Sequence, residues 1–463
     1  MQPAKRRSHD ELALHGWAGR NATAERRWGA PAPTHSSGIA AIRSVGIIGA
    51  GMMGTAIAAA NLRRGLPVVL SDVSDAALAQ APGQIAKELA GLSLRQFGKQ
   101  FLAAAQLVRI APDVAAVANC DLVIESVPES LPLKRRIYRQ LEEILPDTAI
   151  LATNASTIPI GELAAELSAP GRFCGMHFFH PVGRRPLVEI VRGPRTSANT
   201  LALAADYARR ISKRPLVVAD GPGFLVNRLL LPYLGEGMDL LLEGTPMAAV
   251  EQAATAFGMA MGPLRLLDEI GLDTALACGM VLEKAYSDRL VAGPLLVSMI
   301  KAKRLGRKSG AGFYQYICDP DDSAQARRQS LFGDGLAVQP DPQLSTILAH
   351  WARAPVPHDR RGILQRLLLP MVLEASRLLE EAVVGDPRAI DVGAVLGLGF
   401  PAARGGLLGW ADSVGLPRIV AGLRDLEQQH GPRFCPTALL TDMARHCRRF
   451  YARRGLKPAV PAA

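Results

Sequence analysis

Apolar residues along this chain fall into two textures that meet near residue 220. From Ile42 to about Val218, short apolar runs alternate with stretches whose apolar positions recur three and four residues apart. The runs are Val45–Ile48, Val68–Leu70, Leu107–Ile110, Leu122–Val127, Ala149–Ala152, Phe173–Phe179, Leu187–Val191 and Pro215–Val218. Such short continuous runs predict strands covered on both faces. Between them, Ala76–Leu92 and Leu133–Leu145 carry helical spacing. Strand and helix in alternation predict an α/β Rossmann fold, a doubly wound and mostly parallel sheet, over residues 41–220.

After Asp220-Gly221-Pro222-Gly223 the pattern turns helical and rich in Leu, Ala and Met, until Gly312-Phe313-Tyr314-Gln315-Tyr316. Residues 317–360 hold Pro, Asp, Ser and Gly at high density and read as a linker. A second helical block spans 361–456. The blocks at 221–316 and 361–456 resemble each other. Asn227-Arg228-Leu229-Leu230-Leu231-Pro232 matches Gln365-Arg366-Leu367-Leu368-Leu369-Pro370, and Leu267-Asp268 has its counterpart in Ala411-Asp412. A duplicated all-α module explains both. Asn227 becomes Gln365 in the second copy, so the first copy is expected to be functional and the second structural.

The stretch from Val45 to Asp72 carries the first chemical signal. A strand turns through Gly49-Ala50-Gly51-Met52-Met53-Gly54 into a helix, and the next strand ends on Asp72. Gly49 permits the tight turn, Gly51 lets the backbone approach a pyrophosphate, and Gly54 lets the helix pack on the strand. The helix N-terminus favours phosphate. Asp72 can accept from a ribose diol and would repel a 2′-phosphate, which favours NAD over NADP.

Charge changes the picture little. The net charge of +11 is concentrated at the ends: residues 1–40 carry +3 and 441–463 carry +5, leaving +3 for the remaining 400. Basic ends on a near-neutral body, without interleaved aromatics, argue against nucleic acid. Residues 1–40 lack a hydrophobic period and read as a disordered leader, with no apolar core of signal-peptide length. No apolar run is long enough to span a membrane, so no membrane insertion is expected. Six scattered cysteines fit free thiols in a cytoplasmic protein, and neither they nor the nine histidines show metal-ligand spacing.

Four polar residues stand out near the ends of the sheet or just beyond it. Ser156 follows a strand, His177 lies between apolar residues, Glu189 interrupts the run Leu187–Val191, and Asn227 opens the first helical block. A serine after a strand is usually a cap, and a histidine among apolar residues is more often a satisfied core group. A carboxylate inside a buried strand is costly without a partner. An imidazole is its natural partner, and together beside a nicotinamide they suggest a general base that takes a hydroxyl proton while hydride leaves the same carbon.

With these motifs in view, the sequence resembles the L-3-hydroxyacyl-CoA dehydrogenase family, in particular the dehydrogenase half of multifunctional fatty-acid oxidation α-subunits. The resemblance rests on the glycine turn, Glu125-Ser126-Val127-Pro128-Glu129 with Lys134, Thr153-Asn154-Ala155-Ser156, Gly175-Met176-His177, Leu187-Val188-Glu189, Pro222 to Arg228, Met261-Gly262-Pro263 and Gly306-Arg307-Lys308 to Tyr314. It implies NAD-dependent oxidation of a (3S)-3-hydroxyacyl-CoA, with His177 as base and Glu189 orienting it. Ser156 and Asn227 would hold the substrate's 3-oxygen and thioester region. Glu129, Lys134, Lys308, Ser156 and the backbone at Met53 would contact NAD. The resemblance also implies a dimer, and leaves room for a separate hydratase or thiolase partner. Where the family usually has asparagine beside the nicotinamide, this chain has His180, which can hydrogen-bond in its place; Arg265 replaces a common acid. Two other readings stand beside this one: a dehydrogenase of another 3-hydroxy acid, such as a sugar acid, and a non-catalytic relative.

Overall fold

The computed structural model describes residues 42–89, 106–289, 293–316, 338–339 and 342–451. The chain divides into two compact units, one ending at Phe224 and the other running from Leu225. The leader expected over 1–40 lies outside the described residues. Among those residues no helix is long and apolar enough to cross a membrane.

The first unit is built on eight strands: β1 (Val45–Ile48), β2 (Val68–Ser71), β3 (Val108–Ala111), β4 (Leu122–Glu125), β5 (Ile150–Thr153), β6 (Phe173–Phe178), β7 (Leu187–Arg192) and β8 (Arg214–Ala219). They form one sheet in the order β3-β2-β1-β4-β5-β6-β7-β8. Every neighbouring pair is parallel except β6 with β7. Each apolar run named from the sequence became one of these strands. β1, β4 and β5 are buried at every position, as expected of central strands covered on both faces. The chain steps from β1 outward to β2 and β3, then returns to β4 on the other side of β1. That reversal leaves a crevice at the carboxyl ends of β1 and β4, where such sheets bind ligands.

Among the described residues, the longer helices between the strands are α1 (Met52–Leu62), α2 (Asp75–Leu89), α3 (Leu131–Ile144) and α4 (Ala198–Arg210). α1 is buried from Gly54 to Leu62 and is mostly Ala and other small residues, so it can lie close to the sheet. The periodicity did not announce α4, because its buried face is mainly Ala204, Ala205 and Ala208 beside Tyr207. Its start is nonetheless encoded: the Ser197 hydroxyl accepts from Thr200 N at 3.1 Å, an N-cap.

The second unit is helical. Its first copy contains α5 (Val226–Leu242), α6 (Met247–Phe257), α7 (Pro263–Ile270), α8 (Leu272–Ala285) and α9 (Pro294–Lys301). Then come α10 (Pro342–Trp351) and a second set: α11 (Arg360–Glu380), α12 (Pro387–Val392), α13 (Leu407–Val414), α14 (Leu416–His430) and α15 (Ala438–Arg445). α10 lies within the linker expected at 317–360. Its signal was masked by Pro342, which is harmless at a first helical position; Leu344 is buried and Trp351 Nε1 donates to Ser298 Oγ at 2.9 Å.

α5 and α11 hold each other by reciprocal ion pairs. Arg228 of α5 donates through Nε to Glu374 at 2.7 Å and through Nη1 to Glu381 at 2.6 Å. Arg366 of α11 donates through Nε to Glu236 at 2.7 Å and through Nη1 to Glu243 at 2.9 Å. Both guanidinium groups are buried. Each glutamate lies the same distance past its own arginine in both copies, eight residues and fifteen. The two copies therefore clasp through one contact used twice.

Candidate active site

The turn from β1 into α1 is shaped by packing on one side and by open space on the other. Gly49 has φ +107°, and a Cβ there would lie 2.6 Å from the Ser126 carbonyl oxygen. A Cβ on Gly54 would come within 1.8 Å of the Gly49 carbonyl oxygen. Gly51 differs, since a Cβ there would meet no protein atom within 4 Å. Its missing side chain keeps the outer face of the turn clear, which is what close approach of a pyrophosphate demands. α1 begins without a side-chain cap, so the amides of its first turn are available to an anion. Asp72, at the end of β2, accepts from Ala50 N at 2.7 Å and Ser74 N at 2.8 Å. Those bonds fix the carboxylate against the turn, and its remaining lone pairs suit a ribose diol. The turn fits NAD.

A second cluster gathers at the ends of β4 and β5. Glu129 Oε1 accepts from Ser156 N at 2.9 Å and Thr157 N at 3.1 Å, with the Ser156 hydroxyl at 3.3 Å. Burial alone would raise the Glu129 pKa, but Lys134 and those two amides outweigh it and hold the carboxyl below its ordinary value. The resemblance implied that Lys134 contacts NAD. It is 1% exposed, and its Nζ donates to Glu125 Oε1 at 2.7 Å, Glu125 Oε2 at 3.0 Å and Val127 O at 3.3 Å. It also lies 3.4 Å from Glu129, so its charge reaches the site through that carboxylate. Glu125 was missed as a member of this cluster. The signal was present, since a glutamate closes the otherwise apolar run Leu122–Ile124; its oxygens also accept from the Thr153 and Tyr138 hydroxyls.

His177 and Glu189 meet in the antiparallel part of the sheet. β6 and β7 place them directly opposite each other in register. His177 Nδ1 lies 2.7 Å from Glu189 Oε2, and both side chains are buried. An ionised carboxylate can only accept, so Nδ1 carries the hydrogen and the neutral ring keeps its lone pair on Nε2. Phe179 packs on the imidazole with ring centroids 4.5 Å apart, and Phe224 lies at 5.9 Å. The next amide along, Phe178 N, donates to Asn154 Oδ1 at 2.9 Å, tying β6 to the Thr153–Ser156 turn. The pairing gives a fixed imidazole with one free basic nitrogen, an arrangement suited to moving one proton.

His180 stands at the surface two residues beyond β6. The protein crowding its ring, and then the Arg185 guanidinium, lower its pKa from the ordinary histidine value. Asn227 and Lys308 belong to the second unit. Asn227 is in the first turn of α5, and Lys308 lies in the Gly306–Gly310 turn with Nζ 2.5 Å from Asp273 Oδ1.

Comparison with known families now decides the matter. The 3-hydroxyacyl-CoA dehydrogenase NAD-binding domain model matches residues 44–221. The C-terminal domain model of the same enzymes matches residues 223–316 and again 363–451. The chain belongs to the 3-hydroxyacyl-CoA dehydrogenase family. It is an NAD-dependent dehydrogenase of that family, and the double match agrees with the duplication read from the sequence. Among solved structures it is similar to 3-hydroxybutyryl-CoA dehydrogenase of Escherichia coli K12, at 27% identity and a TM-score of 0.74, over 88% of this chain and 99% of that one. The dehydrogenase part of multifunctional enzyme 1 from C. elegans matches at 27% identity and TM-score 0.61, over 94% and 99%. (S)-3-hydroxybutyryl-CoA dehydrogenase of Ralstonia eutropha matches at 36% identity and TM-score 0.56; 60% of this chain covers all of it.

Proposed function

We propose that this 3-hydroxyacyl-CoA dehydrogenase family member oxidises a (3S)-3-hydroxyacyl-CoA to the 3-oxoacyl-CoA, or runs the reverse reaction on a short chain. The observation that carries this is the His177–Glu189 pair, 2.7 Å apart in a buried antiparallel register. His177 Nε2 takes the hydroxyl proton as the carbonyl forms, and returns it in the reduction. Bound NAD would supply the hydride acceptor for the carbon that bears the hydroxyl. Glu189 acts through His177: its charge holds the tautomer and favours the imidazolium that proton transfer creates. Ser156 and Asn227 hold the substrate's oxygens. Glu129, Lys308 and the backbone at Met53 contact NAD, with His180 beside the nicotinamide, and Lys134 positions Glu129.

NADH consumption with acetoacetyl-CoA, a longer 3-oxoacyl-CoA and free acetoacetate tests the proposal. CoA esters should turn over and free acetoacetate should not. His177→Gln should lower kcat by about 10²–10⁴-fold, the usual share of general acid–base catalysis. Glu189→Gln should also move the pH profile of kcat, which loss of packing alone would not do. Equal turnover of acetoacetate, or a fully active His177→Gln, would overturn the assignment.

A further inference from the structure

The second unit holds a cavity of about 230 Å³ lined from both α5 and α11. It is small beside the roughly 300–1,000 Å³ typical of pockets for drug-sized ligands, and smaller still beside what an acyl-CoA or a dinucleotide needs. Equivalent residues of the two copies line it in pairs: Pro232 with Pro370, Glu236 with Glu374, and Arg433 after α14 with Arg289 after α8. One pair is broken. Three residues past Glu236 stands Asp239, whereas three past Glu374 stands Arg377.

That single difference leaves the two arginines in unequal positions. Arg433 Nη2 donates to Glu236 and to Asp239, each at 3.1 Å. Arg289 Nη2 is paired with Glu381 at 2.7 Å, but its Nε and Nη1 are buried without a hydrogen-bond partner. The nearest carboxylate oxygens lie 3.8 Å from Nε, on Asp288, and 3.7 Å from Nη1, on Glu374. The place of an acceptor like Asp239 is taken by Arg377, which itself draws on Glu374 at 3.1 Å. The substitution has removed an acceptor and added a cation. Four arginines now line the cavity against three carboxylates. Buried donors of a charged group left unmatched are unfavourable, and an anion of matching size removes the mismatch.

We infer that this cavity binds a small oxyanion, whose phosphate or carboxylate oxygens accept from Arg289 and are held in place by the charge of Arg377. The site is separate from the dinucleotide turn and lies between the arms of the α5–α11 clasp, since Glu236 and Glu374 serve both. An occupant would therefore tighten the contact between the two copies.

The test is thermal unfolding and calorimetric titration of the full chain with inorganic phosphate and, separately, malonate, each at an ionic strength matched with sodium chloride. Saturable binding with a rise in Tm of about 2–4 °C is expected from at least one of them. Phosphate alone would assign a tetrahedral oxyanion, malonate alone a carboxylate. Arg289→Gln should abolish the effect. So should Arg377→Asp, which restores the first copy's arrangement by giving Arg289 an acceptor, and which should leave the chain folded. No saturable response to either anion would overturn the inference. So would a response that survives both substitutions, which is how phosphate bound at the dinucleotide turn would behave.

Discussion

The two helical copies differ less in how they pack than in what they present. Their packing devices are duplicated almost atom for atom. Asp268 accepts from Phe313 N and Tyr314 N at 2.8 and 2.9 Å, and Asp412 accepts from Phe450 N and Tyr451 N at 3.0 and 2.9 Å. Glu251 and Asp391 each hold the first amides of the following helix, α7 and α13. The polar residues proposed to meet substrate and NAD are not duplicated. Asn227 becomes Gln365. The stretch from Lys303 to Phe313, which carries Lys308, shrinks to the three-residue step from Cys447 to Phe450. What is kept is what one copy needs to bury its face against the other. That is the pattern expected when a duplicate serves as a partner surface and not as a second site.

The strongest way to break this comparison is to attack the clasp from each side. Arg228→Met and Arg366→Met each take one guanidinium from two glutamates that keep a second partner (Arg377 and Arg289 in one case, Arg433 and His358 in the other). Each loss should therefore fall below the about 3–5 kcal/mol of a buried pair broken outright. Denaturant unfolding should show losses of similar size for the two variants. A large loss for one and none for the other would mean that the clasp is reciprocal in geometry alone.

Function should divide where packing does not. Asn227→Ala is expected to lower kcat/KM by about 10–100-fold, or about 1.4–2.8 kcal/mol. Gln365→Ala, at the matched position, should stay within about twofold. Steady-state assay of the two variants decides it, and equal losses would make the second copy part of the catalytic machinery.

The sequence carried the sheet well, because each strand is a continuous apolar run and a buried parallel strand has little freedom to look otherwise. It carried His177 and Glu189 for a similar reason: a carboxylate inside β7 needs a partner, and the alternation of β6 leaves His177 facing it. It was poorer where small residues or local bonds do the work. α4 buries alanines, which give little periodic contrast, and α10 sits within Pro- and Ser-rich surroundings. Lys134 shows a different limit. Its place in the motif beside Glu129 suggested the cofactor, whereas only the fold reveals Glu125 beneath it. The Arg289 mismatch was also out of reach, because it needs Arg289 to be placed against Glu374 of α11 and Glu381 at its end, and not just the repeat.

The smallest expected effect concerns the two helix caps and is read from pH. Burial pushes Glu251 up to about 7 and Asp391 likewise up to about 7, although each accepts amide hydrogen bonds that favour the ionised form. In the unfolded chain they titrate at ordinary values near 4.3 and 3.9. Between those values and 7 the folded state holds protons that the unfolded state has released. Their contribution is therefore fully present at low pH and is lost as pH rises through about 7, at no more than about 1.4 kcal/mol per pH unit for each group. Asp268, pushed up to about 6, adds to the slope only below that value, so pH 6–7 is the window in which the caps are best separated from it. Stability measured by denaturant midpoint should fall across this window. Glu251→Gln and Asp391→Asn should each flatten the fall by one group's share, in whichever copy the cap is removed. If only one of them does so, the caps are alike in position but not in environment; if neither does, the three donors on Asp391 and the amides on Glu251 outweigh burial in both copies.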